Sequence, residues 1–497
     1  MIVPRVLVCL TVSAMALASA HANEATRSMS LKECIFIALQ QSFDLQIGNI
    51  DQTIAASQLS AAKGDYDPVF TASASFGDVT SPGGFDTRTG DFVDSQTNTT
   101  RASVGLSGLL PSGGTYRVGA SATDSEGTSG PLSFSNASAQ GPFVEFRQPL
   151  LENFSIDNTR LNIRVSEQNL HISALDLRQA MNNSVNRIEE AYYDLVASKE
   201  NVRVQESALQ LAEELWKDNQ KRVALGAMAP LDEAEARAQA ATSKAALLSV
   251  KRFVRAAENA LKGAMVDDYA QWRLVNILPS NELTQTAPPF DFNNSWALAQ
   301  QGRPDILTLQ VQLEQQHLIM RRRGNEKLPQ LDLTASAGLA GSAPDLNRVQ
   351  DQIQRKDAPY YSLGLSLALP LGNRREKEAY RIAAAQAEQA RLRLRQFRQS
   401  VMIQVDDAIS QARTNFERLA ATREAREFAE QALTNEQAKL ARGASTNFVV
   451  LQLQRNLTAA RSEEIQSLTD YNKSLASLRF VESSNLAAYQ INLITTD

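Results

Sequence analysis

The first residues whose type and spacing could act on charge are three acids that follow a glycine. Gly226 in ALGAMAPLDEA precedes Asp232, Glu233 and Glu235. Carboxylates placed there could attract cations and repel anions, or could simply favour the positive end of a helix that starts near Pro230. Two adjacent acid pairs, Glu189-Glu190 and Asp406-Asp407, also stand out. Neighbouring residues on a helix do not share a face, so neither pair is a two-carboxylate catalytic centre, and both are expected to face water. His171 and His317 are isolated, without metal-ligand spacing. Arg321-Arg322-Arg323 and Arg374-Arg375 suit anionic headgroups as well as solvated helix ends. The sequence has no phosphate loop, nucleophile elbow or metal cluster. No catalytic, cofactor-binding or metal residue is therefore assigned, and an enzyme is not expected.

The chain that must position these groups has 497 residues, 43% of them hydrophobic, and a formal charge of -5. That balance argues against nucleic acid as a partner, because phosphate contacts need a basic face. Two cysteines exclude a disulfide scaffold. Residues 1–22 read as an export signal, with Arg5, an apolar stretch and Ala20-His21-Ala22 as the cleavage site. The competing reading is a buried N-terminal helix. The apolar run Val6 to Ala18, at about 13 residues, is too short to span a bilayer. Cys34 in SLKEC lacks a lipid-attachment context and is expected to be a small buried apolar residue.

The sequence repeats itself. Asp44 and Asp305, Pro68 and Pro329, and Gly77 and Gly338 each stand 261 residues apart. Glu189-Glu190 and Asp406-Asp407, like Gly226 and Gly443, stand 217 apart. The offsets differ by 44, which places an insertion of that size in the first half, between Phe76 and Gln148. Each half holds a segment free of Pro and Gly, Asn158 to Leu225 and Arg374 to Arg442. At 1.5 Å per residue each is a helix of roughly 100 Å, too long for a globule. Both stop at a glycine, with Pro230 in one case and Ser445 and Thr446 in the other suited to start a returning helix. The segments 68–79, 99–110, 114–124, 142–150, 328–340 and 360–370 alternate as strands do. In SLGLSLALPL, Leu363, Leu365, Leu367 and Leu369 share a face, the dyad pattern of an outer-membrane strand. A soluble sandwich edge is the alternative. Four to six strands cannot close a membrane barrel, and open edges are not tolerated in lipid, so copies must assemble.

Together, the export signal, the SLKECIFIAL segment, the DPVFTASASFG and LPQLDLTASAG turns, the RPDI start of the second half and the two glycine hairpins resemble the outer membrane efflux protein family, the TolC-like exit ducts. The likeness runs from about residue 29 to 484. It implies a mainly α tandem-repeat fold with membrane β-strands, in which a homotrimer builds a twelve-stranded β-barrel, four strands per chain, continuing into a long periplasmic α-helical barrel. Six strand segments exceed four, and the pair at 99–124 is either sheet or loop. The resemblance also implies a passive channel of a tripartite efflux or type I secretion system in the outer membrane of a Gram-negative cell. Its partners would be outer-membrane lipid, a periplasmic adaptor (membrane fusion) protein and an inner-membrane RND or ABC transporter. Leu225, Gly226, Ala227, Arg442, Gly443 and Ala444 are the candidates for adaptor contact, since a glycine turn lets a partner approach closely. Asp232 and Glu235 would ring the pore entrance. The matching second-half positions, Val449 and Gln452, depart from the family's acidic gate. The expected division is residues 23–264 as first repeat (strands about 68–150, hairpin 158–264), 265–292 as linker, 293–485 as second repeat (strands about 328–370, hairpin 374–484) and 486–497 as tail. The competing function is a periplasmic coiled-coil scaffold or adaptor without a barrel.

Overall fold

A computed structural model describes residues 26–491 apart from 83, 88–89 and 130–131. The expected export signal lies outside the described residues. In chain order the first half holds β1 (Thr26–Met29), α1 (Leu31–Gln41), α2 (Phe43–Lys63), β2 (Val69–Ser81), β3 (Phe85–Asp86), β4 (Asp91–Phe92), β5 (Ser95–Leu109), β6 (Thr115–Ser129), β7 (Leu132–Pro149), α3 (Asn158–Ala224) and α4 (Pro230–Met265). Then follow α5 (Tyr269–Trp272), β8 (Asn276–Pro279), α6 (Phe292–Gly302), α7 (Pro304–Asn325), β9 (Gln330–Ala343), α8 (Leu346–Arg355), β10 (Pro359–Ala368), α9 (Arg374–Ala441), α10 (Asn447–Glu482) and α11 (Asn485–Ala488). Among the described residues no helix is long and apolar enough to cross a membrane. The chain divides into two compact units, Met1–Gln52 with Ser173–Thr308 and Leu394–Asp497, and Thr53–Ile172 with Leu309–Arg393.

The first unit is helical. Val185, Ile188, Tyr192 and Leu195 of α3 recur at alternating spacings of three and four, so one narrow stripe is buried. On α9, Leu394, Val401 and Ala408 fall seven apart, as do Val405, Ala412 and Leu419, which is the repeat of a coiled-coil seam. The largest core joins α1, α3, α4 and β8 with Ala476 of α10 and Leu486 of α11. Cys34 lies in it fully buried, its thiol pushed up to about 12 by burial and by Glu33, as befits a packing residue. Ser30 and Glu33 close a reciprocal capping box on α1: the Glu33 amide donates to the Ser30 hydroxyl at 3.3 Å, and the Ser30 amide to the Glu33 carboxylate at 2.7 Å. The segment between the repeats is an ordered strap. β8 pairs in parallel with β1, and the Asn472 side chain both accepts from and donates to the Thr284 backbone, at 2.9 and 3.0 Å.

The second unit is built on one antiparallel six-stranded sheet in the order β10-β9-β7-β6-β5-β2. The resemblance implies four strands per chain; the sheet has six, and the pair at 95–129 belongs to it as β5 and β6 rather than forming a loop. Cross-strand register puts Phe70, Leu106, Val118, Val144, Ala337 and Tyr361 in one row. The next row, on the opposite face, is Val69, Ser107, Arg117, Glu145, Ser336 and Ser362. One face is thus apolar across all six strands and the other largely polar, with an Arg147–Asp332 ion pair at 2.6 Å on the polar side. The apolar side is open: Phe70, Leu363 and Leu365 are 67%, 75% and 69% exposed. Between β9 and β10 the short helix α8 buries Val349 against Ala137 and Ala343. Arg322 of α7 is buried, paired with Glu326 at 3.2 Å and donating to Asn158 at 3.2 Å, so the middle of that arginine run neither meets headgroups nor caps a solvated end.

Candidate functional site at the paired helical turns

Both long hairpins turn through the same backbone device. The Gly226 amide donates to the Val223 carbonyl and the Ala227 amide to the Arg222 carbonyl, each at 2.9 Å. In the second half Gly443 donates to Leu440 at 3.1 Å and Ala444 to Lys439 at 2.9 Å. This is the Schellman pattern, which satisfies the last carbonyls of a helix and requires a left-handed residue. Gly226 and Gly443 supply it with φ of 71° and 76°. A side chain at either position would meet no atom within 4 Å, so the turns are bare on their outer side. Leu225, Gly226, Ala227, Arg442, Gly443 and Ala444 are all exposed.

The structure ties the two turns together through residues that sequence reasoning missed. Asn219, fully buried on α3, and Asn447, the first residue of α10, both donate side-chain N–H to the Asp232 carbonyl at 3.2 Å. Their only sequence signal is an amide placed where the helix stripe should be apolar. Leu433, Leu440, Val450 and Leu457 form the core beneath the second turn, with Leu215 of α3 against it. Thr446 is the N-cap of α10 but makes no capping side-chain bond, and Ser445 serves elsewhere, donating to Glu436 at 2.5 Å. That hydroxyl, followed by Lys439, holds the Glu436 carboxyl below its ordinary range.

The acids separate by environment. Asp232 is half-buried at the third position of α4, whereas Glu235 is exposed. Glu189 does not face water: it is fully buried, accepting from Arg479 at 2.6 Å and from the Tyr489 hydroxyl at 2.5 Å. Burial opposes the Arg479 charge most strongly, but Glu189, Tyr489 and Tyr193 together outweigh it and hold the guanidinium above its usual pKa. Glu190, Asp406 and Asp407 are exposed, as are His171 and His317. Among the described residues no group of His, Cys, Asp or Glu could hold a metal ion.

The fold is similar to that of several solved structures. The outer-membrane channel OprN covers 91% of this chain and 90% of its own at 17% identity and a TM-score of 0.68. VceC from Vibrio cholerae, an outer membrane protein, covers 91% and 95% at 17% identity with a TM-score of 0.63. The Neisseria gonorrhoeae MtrE outer membrane channel, in its open state, covers 95% and 94% at 16% identity and 0.63. At these identities the likeness establishes the fold. A comparison with curated proteins finds no match. The family model for outer membrane efflux proteins matches residues 117–265 and 297–481, more than half of the chain and both repeats with their hairpins. The chain belongs to the outer membrane efflux protein family.

Proposed function

We propose that this exit duct works as a homotrimer whose paired helical turns dock a periplasmic adaptor, with an inner-membrane RND or ABC transporter supplying the energy. Membership of the family makes the chain a passive channel of the outer membrane with a periplasmic helical extension, and not an enzyme. The docking role rests on one observation above the others. Both repeats keep a positive-φ glycine whose outer side is empty, and a turn kept bare twice suits a partner backbone at close range. We assign Glu235, exposed one turn into α4, to the charge met by a cation at the pore entrance, and Asp232, half-buried at the helix start, chiefly to stabilising that start. The division into repeats at 23–264 and 293–485, the linker at 265–292, the tail from 486 and removal of residues 1–22 on export belong to the same reading.

The test compares Gly443→Val with Gly443→Asn in cells that carry the native adaptor. Asn tolerates the left-handed conformation and keeps the turn, whereas the β-branched Val is strained there. The Val variant should reach the outer membrane as a trimer yet lose at least ten-fold in adaptor copurification and in export, while the Asn variant retains most of both. Full copurification by the Val variant would remove the turns from the docking surface.

A further inference from the structure

We infer that the membrane sheet closes as an eighteen-stranded barrel, three copies each contributing six strands, with β2 of one copy pairing with β10 of the next. The inference rests on the trimeric reading above and goes beyond the twelve strands that the family resemblance implies.

Three observations carry it. First, β5 and β6 cross the full height of the sheet. β2 pairs with β5 from Val69–Ser107 to Ser81–Ser95, and β5 with β6 from Leu109–Thr115 to Ser95–Ser129. The turn between β5 and β6 lies at the end where β7 leads into α3. There the Ser112 hydroxyl donates to Gln148 at 2.8 Å, and a side chain on Gly113 would strike the Asn153 carbonyl at 2.6 Å. A loop hairpin projecting from the far end of the sheet would have its turn nowhere near Gln148 and Asn153.

Second, β5 and β6 carry the same two faces as the other four strands. Leu106 and Val118 continue the apolar row from Phe70 to Val144, while Ser107 and Arg117 continue the polar one from Val69 to Glu145. In a barrel wall this alternation sets lipid outside and an aqueous lumen inside. An inserted hairpin with no role in the wall would have no reason to repeat it.

Third, the two open edges match in direction. Every neighbouring pair in the sheet is antiparallel, so β2 and β10, first and last of six, also run opposite ways. Placed edge to edge, they continue the same alternation around a ring. Nearly every residue of β2 and of β10 is exposed, as expected of edges that await a partner. Lipid does not tolerate such edges, and one copy alone falls short of the eight strands that a spanning barrel needs.

Barrel diameter grows roughly in proportion to strand number. Eighteen strands at ordinary spacing and tilt give about 36 Å between opposite backbones, against about 24 Å for twelve. The outer-membrane part of this duct is then about half as wide again as a twelve-stranded one.

Electron cryomicroscopy of the full-length protein in lipid nanodiscs tests this directly. A threefold particle with eighteen ribbons of density at mid-membrane is expected. Threefold symmetry with twelve ribbons would overturn the barrel and leave the trimeric channel standing. Two copies around twelve ribbons, or no membrane ring, would overturn both. Cysteine pairs across the predicted seam give an independent readout: Ser73→Cys or Ser75→Cys on β2, combined with Ser362→Cys or Ser366→Cys on β10. Oxidation should produce a covalent trimer from at least one pair and none from single variants, with Cys34 buried and silent. Bands that stop at the dimer, or no crosslink from any pair, would count against the β2–β10 seam.

Discussion

The two hairpins share a backbone and differ in where they keep their charges. α3 and α4 turn as α9 and α10 do, with the same hydrogen bonds 217 residues apart. In the first hairpin Glu189, Glu258 and Lys262 are almost entirely enclosed. In the second, Arg418, Arg423, Arg426 and Arg461 form a half-exposed ladder with Glu430, Glu463, Glu464 and Asp470. What lies over the helices makes the difference. α1, β8 and α11 pack on the first hairpin and exclude water, whereas the charges of the second lie outside the small cores that α9 and α10 share around Leu419, Tyr471, Leu433 and Val450. Duplication preserved the stroke of each hairpin, and each side then settled its charges according to what covers them. Enclosed ion pairs are costly to break singly, while exposed ones matter little.

The largest effect in that contrast should come from Arg479→Met. It leaves the Glu189 carboxylate enclosed with only the Tyr489 hydroxyl, which should cost about 3–5 kcal/mol. Thermal unfolding in detergent measures this. The double variant Arg479→Met with Glu189→Met should recover much of the loss, because the stranded charge is gone. A double variant no more stable than the single would mean that packing, not charge, sets the cost.

A second effect sits at Lys262, whose ammonium is enclosed 3.9 Å from Glu258, itself shared with Lys199 at 3.5 Å and Arg255 at 3.6 Å. Burial lowers the Lys262 pKa from 10.5, and Glu258 opposes that shift. The folded protein therefore releases this proton at lower pH than the unfolded chain does. The burial penalty is present in full below the folded pKa and is relieved as pH rises from there toward 10.5. Lys262→Met should be about as stable as the natural protein or up to about 2 kcal/mol more stable at pH 7. That advantage should shrink as melting is repeated toward pH 10, and an advantage that grew with pH would contradict the assignment. Glu258→Gln, which strands Lys262, should lose more than Lys262→Met at pH 7.

These sites mark how far the sequence could be read. The long helices were legible because Pro and Gly are absent over 158–225 and 374–442, and the turns because glycine is the residue best suited to a left-handed C-terminus. The offset difference of 44 residues pointed to the insertion that folds as β3, β4, β5 and β6. Helix α8 was not foreseen: its few apolar residues sit among Asn, Gln and Arg, and only Val349 is buried. The enclosure of Glu189 was not legible either, because its partners Arg479 and Tyr489 lie about 300 residues away. Asn219 and Asn447 escaped for a different reason: their shared acceptor is a main-chain carbonyl, which carries no residue signature.

The smallest effect belongs to the exposed ladder and completes the contrast. Arg418 reaches Glu463 at 2.5 Å and Asp470 at 3.3 Å, yet its side chain is 44% exposed and that of Glu463 52%. Water competes for both charges, and holding two long side chains in one geometry costs rotamer entropy, so short distances do not translate into stability. Arg418→Met should change unfolding free energy by less than about 1 kcal/mol. Whatever remains should fade between low salt and 0.5 M salt, because exposed pairs are screened over a few ångströms there. The Arg479→Met loss should persist in the same salt, since its carboxylate is shut away from mobile ions. If Arg418→Met cost as much as Arg479→Met, or resisted salt equally, the ladder would have to be buried in the assembled channel, and its exposure in the single chain would mark a surface where neighbouring copies meet.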